Sequence, residues 1–197
     1  MVGGGSVAWP KTALLLEAGA KVTMVAPLFA APPAGLEGHP SLIREERAFA
    51  EADLTGRFLV IAATDDRSVQ DSVRHAADAR GILCNVVDEP SACDFIFGAT
   101  LRRGDLTLSI STSGSFPLVA QRLRDRWAQR LDENVGEALA RLARERTALH
   151  SEGPATYDER RRRLAGLLDD EILDALERGD LERIEAAILR WREDTTA

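Results

Sequence analysis

The chain has 197 residues, 45% of them apolar, and 25 basic side chains against 32 acidic ones leave a net charge of −7. That length holds one medium domain and a smaller one around a real core, while the acidic balance excludes nucleic acid as the main partner and leaves any anion to be caught locally. No apolar run approaches the ~20 residues that span a bilayer, and the N-terminus lacks the basic flank and cleavage site of a signal peptide, so a cytoplasmic protein with no membrane partner is expected.

The opening stretch MVGGGSVAWPK places Gly3, Gly5 and Ala8 at the three small-residue positions of a G-x-G-x-x-G/A dinucleotide fingerprint. The first glycine makes the tight turn, the second leaves the backbone open to a pyrophosphate, and the third small residue lets the following helix pack on the sheet with its N-terminus aimed at the phosphates. Apolar Ala13, Leu14 and Leu15 follow in a short helix that stops at Gly19. A strand of about five or six residues should precede such a loop, yet only Met1 and Val2 do. We therefore expect that most of the first strand is missing and that the true start lies upstream.

The strand from Lys21 to Ala26 runs apolar more than it alternates, as in a parallel strand covered on both faces. It ends at Pro27 and Leu28, with neither the acid that holds the ribose hydroxyls of NAD nor an arginine for a 2′-phosphate. The proline- and glycine-rich AAPPAGLEGHP reads as a loop, followed by a short strand SLIRE and a helical turn at Asp53 and Leu54. Next come the strand FLVIAAT, a helix from about Ser68 to Arg80, and the strand ILCNVVD. Strands alternating with helices imply a doubly wound parallel sheet. Ligands of such sheets bind beyond the strands' carboxyl ends, where Thr64, Asp65, Asp66, Asn85 and Asp88 fall. Asp65 and Asp66 fit helix capping and cofactor contact equally well. Cys84 and Cys93 lack metal-ligand spacing and read as reduced thiols.

FIFGATLRRGDLTLSIST reads as two strands joined at Arg103 and Gly104, leading through STSGSFP into a helix that opens after Pro117. On it, Ala120, Leu123, Trp127 and Leu131 form an apolar stripe, either core or a dimer seam. From Glu133 the chain is helical, with Val135, Leu139, Leu142 and Leu149 on one face. SEGPAT interrupts, Arg160 to Arg163 make a basic run that reads as a solvated face or a contact for an anion, and a helix from about Asp169 stops at Gly179. Asp180 then caps a last helix bearing Leu181, Ile184, Ile188 and Trp191. His39, His75 and His150 are scattered, so no metal site is expected.

Read together, GGGSVAWPK, AEADLTGRFLVIAATDD, CNVVDEP and SISTSGSFP resemble the precorrin-2 dehydrogenase family and the N-terminal half of bifunctional siroheme synthases, over nearly the whole chain. The resemblance implies a Rossmann-like NAD-binding domain over 1–93, a small α+β dimerisation domain of two strands and a helix over 94–132, and a helical C-terminal domain over 133–197. It implies oxidation of precorrin-2 to sirohydrochlorin with NAD as hydride acceptor by a homodimer on the route to sirohaem; some members also insert ferrous iron. The essential aspartate of the family falls on Asp88. Its cofactor contacts fall on the glycine loop, especially Ser6 and Val7, and on Pro27 and Leu28, with Thr64 and Asp65 beside them. The serine-rich substrate loop matches Ser111 to Ser115. Pro10 departs from the arginine common before Lys11.

Dehydrogenation removes a hydride and a proton, so the site needs a nicotinamide against a reduced carbon and a group that guides the proton. Asp88 is the candidate, and partial burial under the macrocycle would raise its basicity. The structural alternative is that Asp88 only forms the turn before Pro90. Ser111, Thr112, Ser113, Asn85 and Arg122 are the candidate contacts to the polycarboxylate substrate. A non-catalytic NAD-sensing regulatory module would share the fingerprint and dimer seam, but it would leave Asp88 and the STSGS loop unexplained.

Overall fold

The computed structural model describes residues 1–152 and 156–196 and divides into two units, 1–96 and 97–197. In the first unit, β1 (Val22–Ala26) pairs in parallel with β2 (Leu42–Glu46), and β3 (Leu59–Ala62) with β4 (Leu83–Val86). Val2 joins the two pairs through parallel bridges to Val25 and to Ala62. Its N–H donates to Ile61 O at 2.8 Å and its carbonyl accepts from Ala63 N at 2.7 Å, while Val25 N donates to Met1 O at 2.9 Å and Gly3 N to Val25 O at 2.9 Å. Met1 to Gly3 thus supply, in three residues, the central position of a sheet ordered β2, β1, Val2, β3, β4. The first strand is short, as expected, but the hydrogen bonding across the centre is continuous.

Alternation along β3 shows why both faces are covered. Val60 and Ala62 join Val2, Val73, Ala76, Ala77 and Cys84 in one cluster, whereas Ile61 points to the opposite face and is fully buried there as well. Helix α2 (Arg67–Asp78) contributes the first cluster. Its N-cap is Asp66, whose carboxylate accepts from Ser68 N at 2.9 Å and Val69 N at 3.3 Å.

Helix α1 (Ala8–Glu17) buries Ala8, Trp9, Thr12 and Leu16. Of the apolar residues 13 to 15, Leu14 is 37% exposed. Three consecutive residues cannot share one side of a helix that turns about 100° per residue, and the spacing of 8, 9, 12 and 16 does. Pro10 sits in the first turn, where its missing N–H costs no hydrogen bond. Both cysteines are free thiols, Cys84 buried and Cys93 half-buried.

In the second unit, β5 (Ala99–Arg103) and β6 (Leu106–Ile110) form an antiparallel hairpin. Gly104 turns it at φ 56°, and a β-carbon there would lie 2.9 Å from Gly136 Cα, so two glycines permit the close approach of the hairpin to the helix behind it. Helix α3 (Pro117–Arg130) opens on its proline. The remaining helices are α4 (Val135–Glu152), α5 (Tyr157–Leu167), α6 (Asp170–Glu177) and α7 (Leu181–Thr196).

Leu101, Leu131 and Val135 share a cluster with Trp127, so the hairpin, α3 and the start of α4 pack together across positions 132 and 133. Ala138, Leu142, Leu167, Ile172, Ile184 and Ile188 make the helical core. Of the expected α4 face, Val135 and Leu142 are buried, Leu139 and Leu149 only partly. The expected break at SEGPAT covers residues 151–156: Ser151 and Glu152 still belong to α4, and residues 153–155 lie outside the described residues. The arginine run lies on α5, with Arg161 and Arg162 exposed.

Candidate functional site

A cleft of about 740 Å³ opens at the carboxyl ends of the strands in the first unit. Its floor is the glycine loop. Gly3 has φ +118°, and a β-carbon there would lie 2.0 Å from Ala63 O; one on Gly4 would lie 2.5 Å from Leu28 O. The backbone of these two residues is therefore clamped between its neighbours. A β-carbon on Gly5 meets nothing within 4 Å, so the space above it is open to a ligand. Helix α1 begins just beyond with no side-chain cap and no acid in its first turn, which leaves its positive dipole end to an anion, although Ala8 N donates to Gly5 O at 3.1 Å and Pro10 has no N–H. Ser6 and Val7 are exposed at this entrance, and both line the cleft.

The loop after β1 forms a second wall with Ala26, Pro27 and Leu28. It is tied to the glycine loop by Ala30 N, which donates to Gly4 O at 2.8 Å, and to α1 by the buried Trp9, whose Nε1 donates to Ala30 O at 3.1 Å. The third wall runs from Ala63 to Arg67 and includes Gln70. Both aspartates are exposed on this wall, and Asp66 is in addition the helix cap, its carboxyl held below the usual range by the hydroxyl of Ser68 and the amides of Val69 and Ser68. Gln70 Nε2 donates to Thr64 O at 2.6 Å and fixes the strand end.

Asp88 and Val87 complete the lining. Glu89 N donates to Val86 O at 3.2 Å, closing a turn in which Asp88 occupies the third position at φ 63°. That position in type II turns favours glycine or asparagine, so an aspartate there carries local strain of about 1 kcal/mol or more. Asp88 is thus both the turn former and a cleft residue. Arg67 Nη1 donates to Glu89 Oε2 at 2.7 Å, so the arginine on the wall and the glutamate beside Asp88 join α2 to this loop. Ser91 and Arg67 together hold the Glu89 carboxyl below its ordinary value.

Gly3, Gly5, Ser6, Val7, Pro27, Leu28, Thr64, Asp65 and Asp88 therefore converge on one cleft. Ala8 lies under it, fully buried, and acts through packing. Asn85 differs from its expected place: it is 5% exposed, and its Nδ2 donates to Phe95 O at 2.8 Å and to Cys93 Sγ at 3.3 Å. It does not reach the cleft because alternation along β4 turns it inward. Gly4, Arg67, Gln70 and Val87 are lining residues that sequence reasoning missed. For Arg67 and Gln70 a signal existed, since residues one helical turn apart beyond a strand end share the face toward it.

Ser111, Thr112, Ser113 and Arg122 belong to the second unit. Ser113 (φ 52°) and Gly114 (φ 79°) form a tight turn closed by Ser115 N donating to Thr112 O at 3.0 Å. The hydroxyls support it from within: Ser111 Oγ accepts from Ser113 N at 3.1 Å, and Ser115 Oγ donates to Thr112 O at 2.6 Å. Among the described residues no group of three His, Cys, Asp or Glu could hold a metal ion, and no helix is long and apolar enough to cross a membrane.

The chain is 37% identical over 185 residues to a siroheme synthase of Citrobacter koseri, covering 93% of this chain and 40% of that protein. It is 43% identical over 143 residues to a siroheme synthase of Methylococcus capsulatus, covering 73% of this chain and 30% of that protein. The chain thus spans two fifths or less of these relatives. Among solved structures it is similar to SirC, a precorrin-2 dehydrogenase, with a TM-score of 0.74 and 25% identity over 98% of this chain and 92% of that one. Residues 1–99 match a family described as "Putative NAD(P)-binding". The glycine cradle, the uncapped helix above it and this match over half the chain together place the protein in that NAD(P)-binding family.

Proposed function

We propose that this protein oxidises precorrin-2 to sirohydrochlorin, with NAD as hydride acceptor, in the synthesis of sirohaem. The observation that carries the reading is the convergence of the glycine loop and Asp88 on one cleft. The likeness to a precorrin-2 dehydrogenase over nearly the full length of both chains supports it.

Gly5 leaves room for the pyrophosphate, and the amides of Ser6 and Val7 at the positive end of α1 supply donors to it. Pro27 and Leu28 contribute backbone and apolar contact where many dinucleotide sites have an acid. The dinucleotide, when bound, supplies the electron sink for the hydride. The loss of a hydride from one carbon leaves a proton to be taken from its neighbour, and the Asp88 carboxylate, exposed at the rim, takes it. A macrocycle seated on Asp88 excludes water from the carboxylate and strengthens it as a base. Ser111, Thr112 and Ser113 offer hydroxyl and amide donors, and Arg122 a cation, to the substrate's carboxylates. Phe116, Leu118, Val119 and Leu123 are exposed on the loop and first turns of α3, and a second copy of the chain is the partner that covers them.

The test mixes purified protein with precorrin-2 and NAD and follows NADH and the sirohydrochlorin spectrum, with and without ferrous iron. Asp88→Ala is expected to remain folded and dimeric by light scattering and to form no NADH. Activity of that variant within threefold of the parent removes Asp88 from the chemistry, and NAD binding without any turnover by the parent favours a regulatory module.

A further inference from the structure

The turn that presents Asp88 is held from below by a thiol. Cys93 Sγ accepts from Val86 N at 3.3 Å and from Asn85 Nδ2 at 3.3 Å. Its S–H lies 3.1 Å from Val86 O and 3.3 Å from Glu89 O. Val86 and Glu89 are the two ends of the turn, so one sulfur touches both sides of the segment whose third residue is Asp88. The chain beyond is anchored along β4, where Asp94 N donates to Cys84 O at 2.8 Å and Asp94 Oδ2 accepts from Cys84 N at 2.8 Å. Asn85 is wedged beneath with its Oδ1 buried and unpartnered, an uncompensated polar atom kept next to a functional loop.

A left-handed aspartate persists only where its surroundings over-determine it. Relaxation of φ at Asp88 toward the ordinary regions would swing the carboxylate away from the cleft. Sulfur makes weak hydrogen bonds, but four contacts from one atom to three residues restrict the turn more than any one of them would alone.

We infer that Cys93, seated by Asn85, is a positioning residue that fixes the Asp88 carboxylate in the cleft. This rests on the reading of Asp88 as the proton acceptor. Replacement by alanine removes the link between the turn's ends, and replacement by serine keeps a group that both donates and accepts.

The experiment compares the parent, Cys93→Ala, Cys93→Ser and Asp88→Ala as full-length proteins. It measures kcat and KM for precorrin-2 per folded molecule and Kd for NAD by calorimetry. Expected for Cys93→Ala is a fall in kcat of tenfold or more with Kd for NAD and KM within threefold of the parent, and for Cys93→Ser a return of kcat to within threefold. A purely structural thiol would lower the unfolding temperature and leave kcat per folded molecule unchanged. If Cys93→Ala does not fold, Cys93→Val, which keeps the volume and removes the same bonds, carries the same expectation. Failure of both to fold beside a folded Cys93→Ser assigns the thiol to folding alone and overturns the inference. An inactive Asp88→Ala with kcat of Cys93→Ala within twofold of the parent also overturns it, whereas an active Asp88→Ala overturns the reading beneath it.

Discussion

Adding one methyl group two residues apart in the glycine loop should break two different properties. At Gly3 the methyl would lie 2.0 Å from Ala63 O and 2.6 Å from Ala63 C, on a backbone at φ +118° that L residues rarely adopt. The strain alone is about 1–3 kcal/mol. Relief requires Gly3 and Ala63 to separate, which pulls on the Ala63 N to Val2 O bond (2.7 Å) and the Gly3 N to Val25 O bond (2.9 Å), each worth about 0.5–1.5 kcal/mol. The total, about 2–6 kcal/mol, is a large share of the ~5–15 kcal/mol that hold a domain together. A fall in Tm of roughly 5–20 °C follows for Gly3→Ala. At Gly5 the methyl meets no protein atom within 4 Å. Gly5→Ala should therefore stay within about 1 kcal/mol of the parent in stability. It should weaken NAD binding by tenfold or more, about 1.4 kcal/mol, because the methyl stands where the pyrophosphate must approach. Denaturant unfolding and calorimetric titration with NAD separate the two outcomes. Parent-like NAD affinity in Gly5→Ala, or parent-like stability in Gly3→Ala, refutes the assignment of the loop.

A further expectation concerns charge. In the helical unit, Glu145 is 5% exposed and accepts from Arg192 Nε and Nη2 at 2.7 Å each. Arg192→Met should cost about 1–3 kcal/mol by leaving that carboxylate unpaired, and Glu145→Met in the same chain should recover much of it; a neutral single replacement would show the pair to be unimportant.

The features legible in the sequence were those governed by residues close together in it. The hairpin turn at Gly104, the capping of the last helix by Asp180, whose Oδ1 accepts from Arg183 N at 3.0 Å, and the alternation of strands with helices are local matters of φ, capping and periodicity. The fingerprint belongs with them, because a turn beside a backbone and a helix N-terminus demand glycine within a few residues. Gly4 was not distinguishable from a free fingerprint position, since its constraint comes from Leu28 across the cleft.

What only tertiary structure decided was which side of each element met another. Leu14 is exposed while Thr12 is buried because the sheet, and not local hydrophobicity, selects the face of α1. Asn85 turned inward because strand alternation under a returning loop left it no path to the cleft. Three residues at the N-terminus took the central place of the sheet because β1 and β3 supply hydrogen-bonding partners on both sides. These outcomes depend on contacts between segments distant in the chain, and local residue pattern carries no information about which of those contacts form.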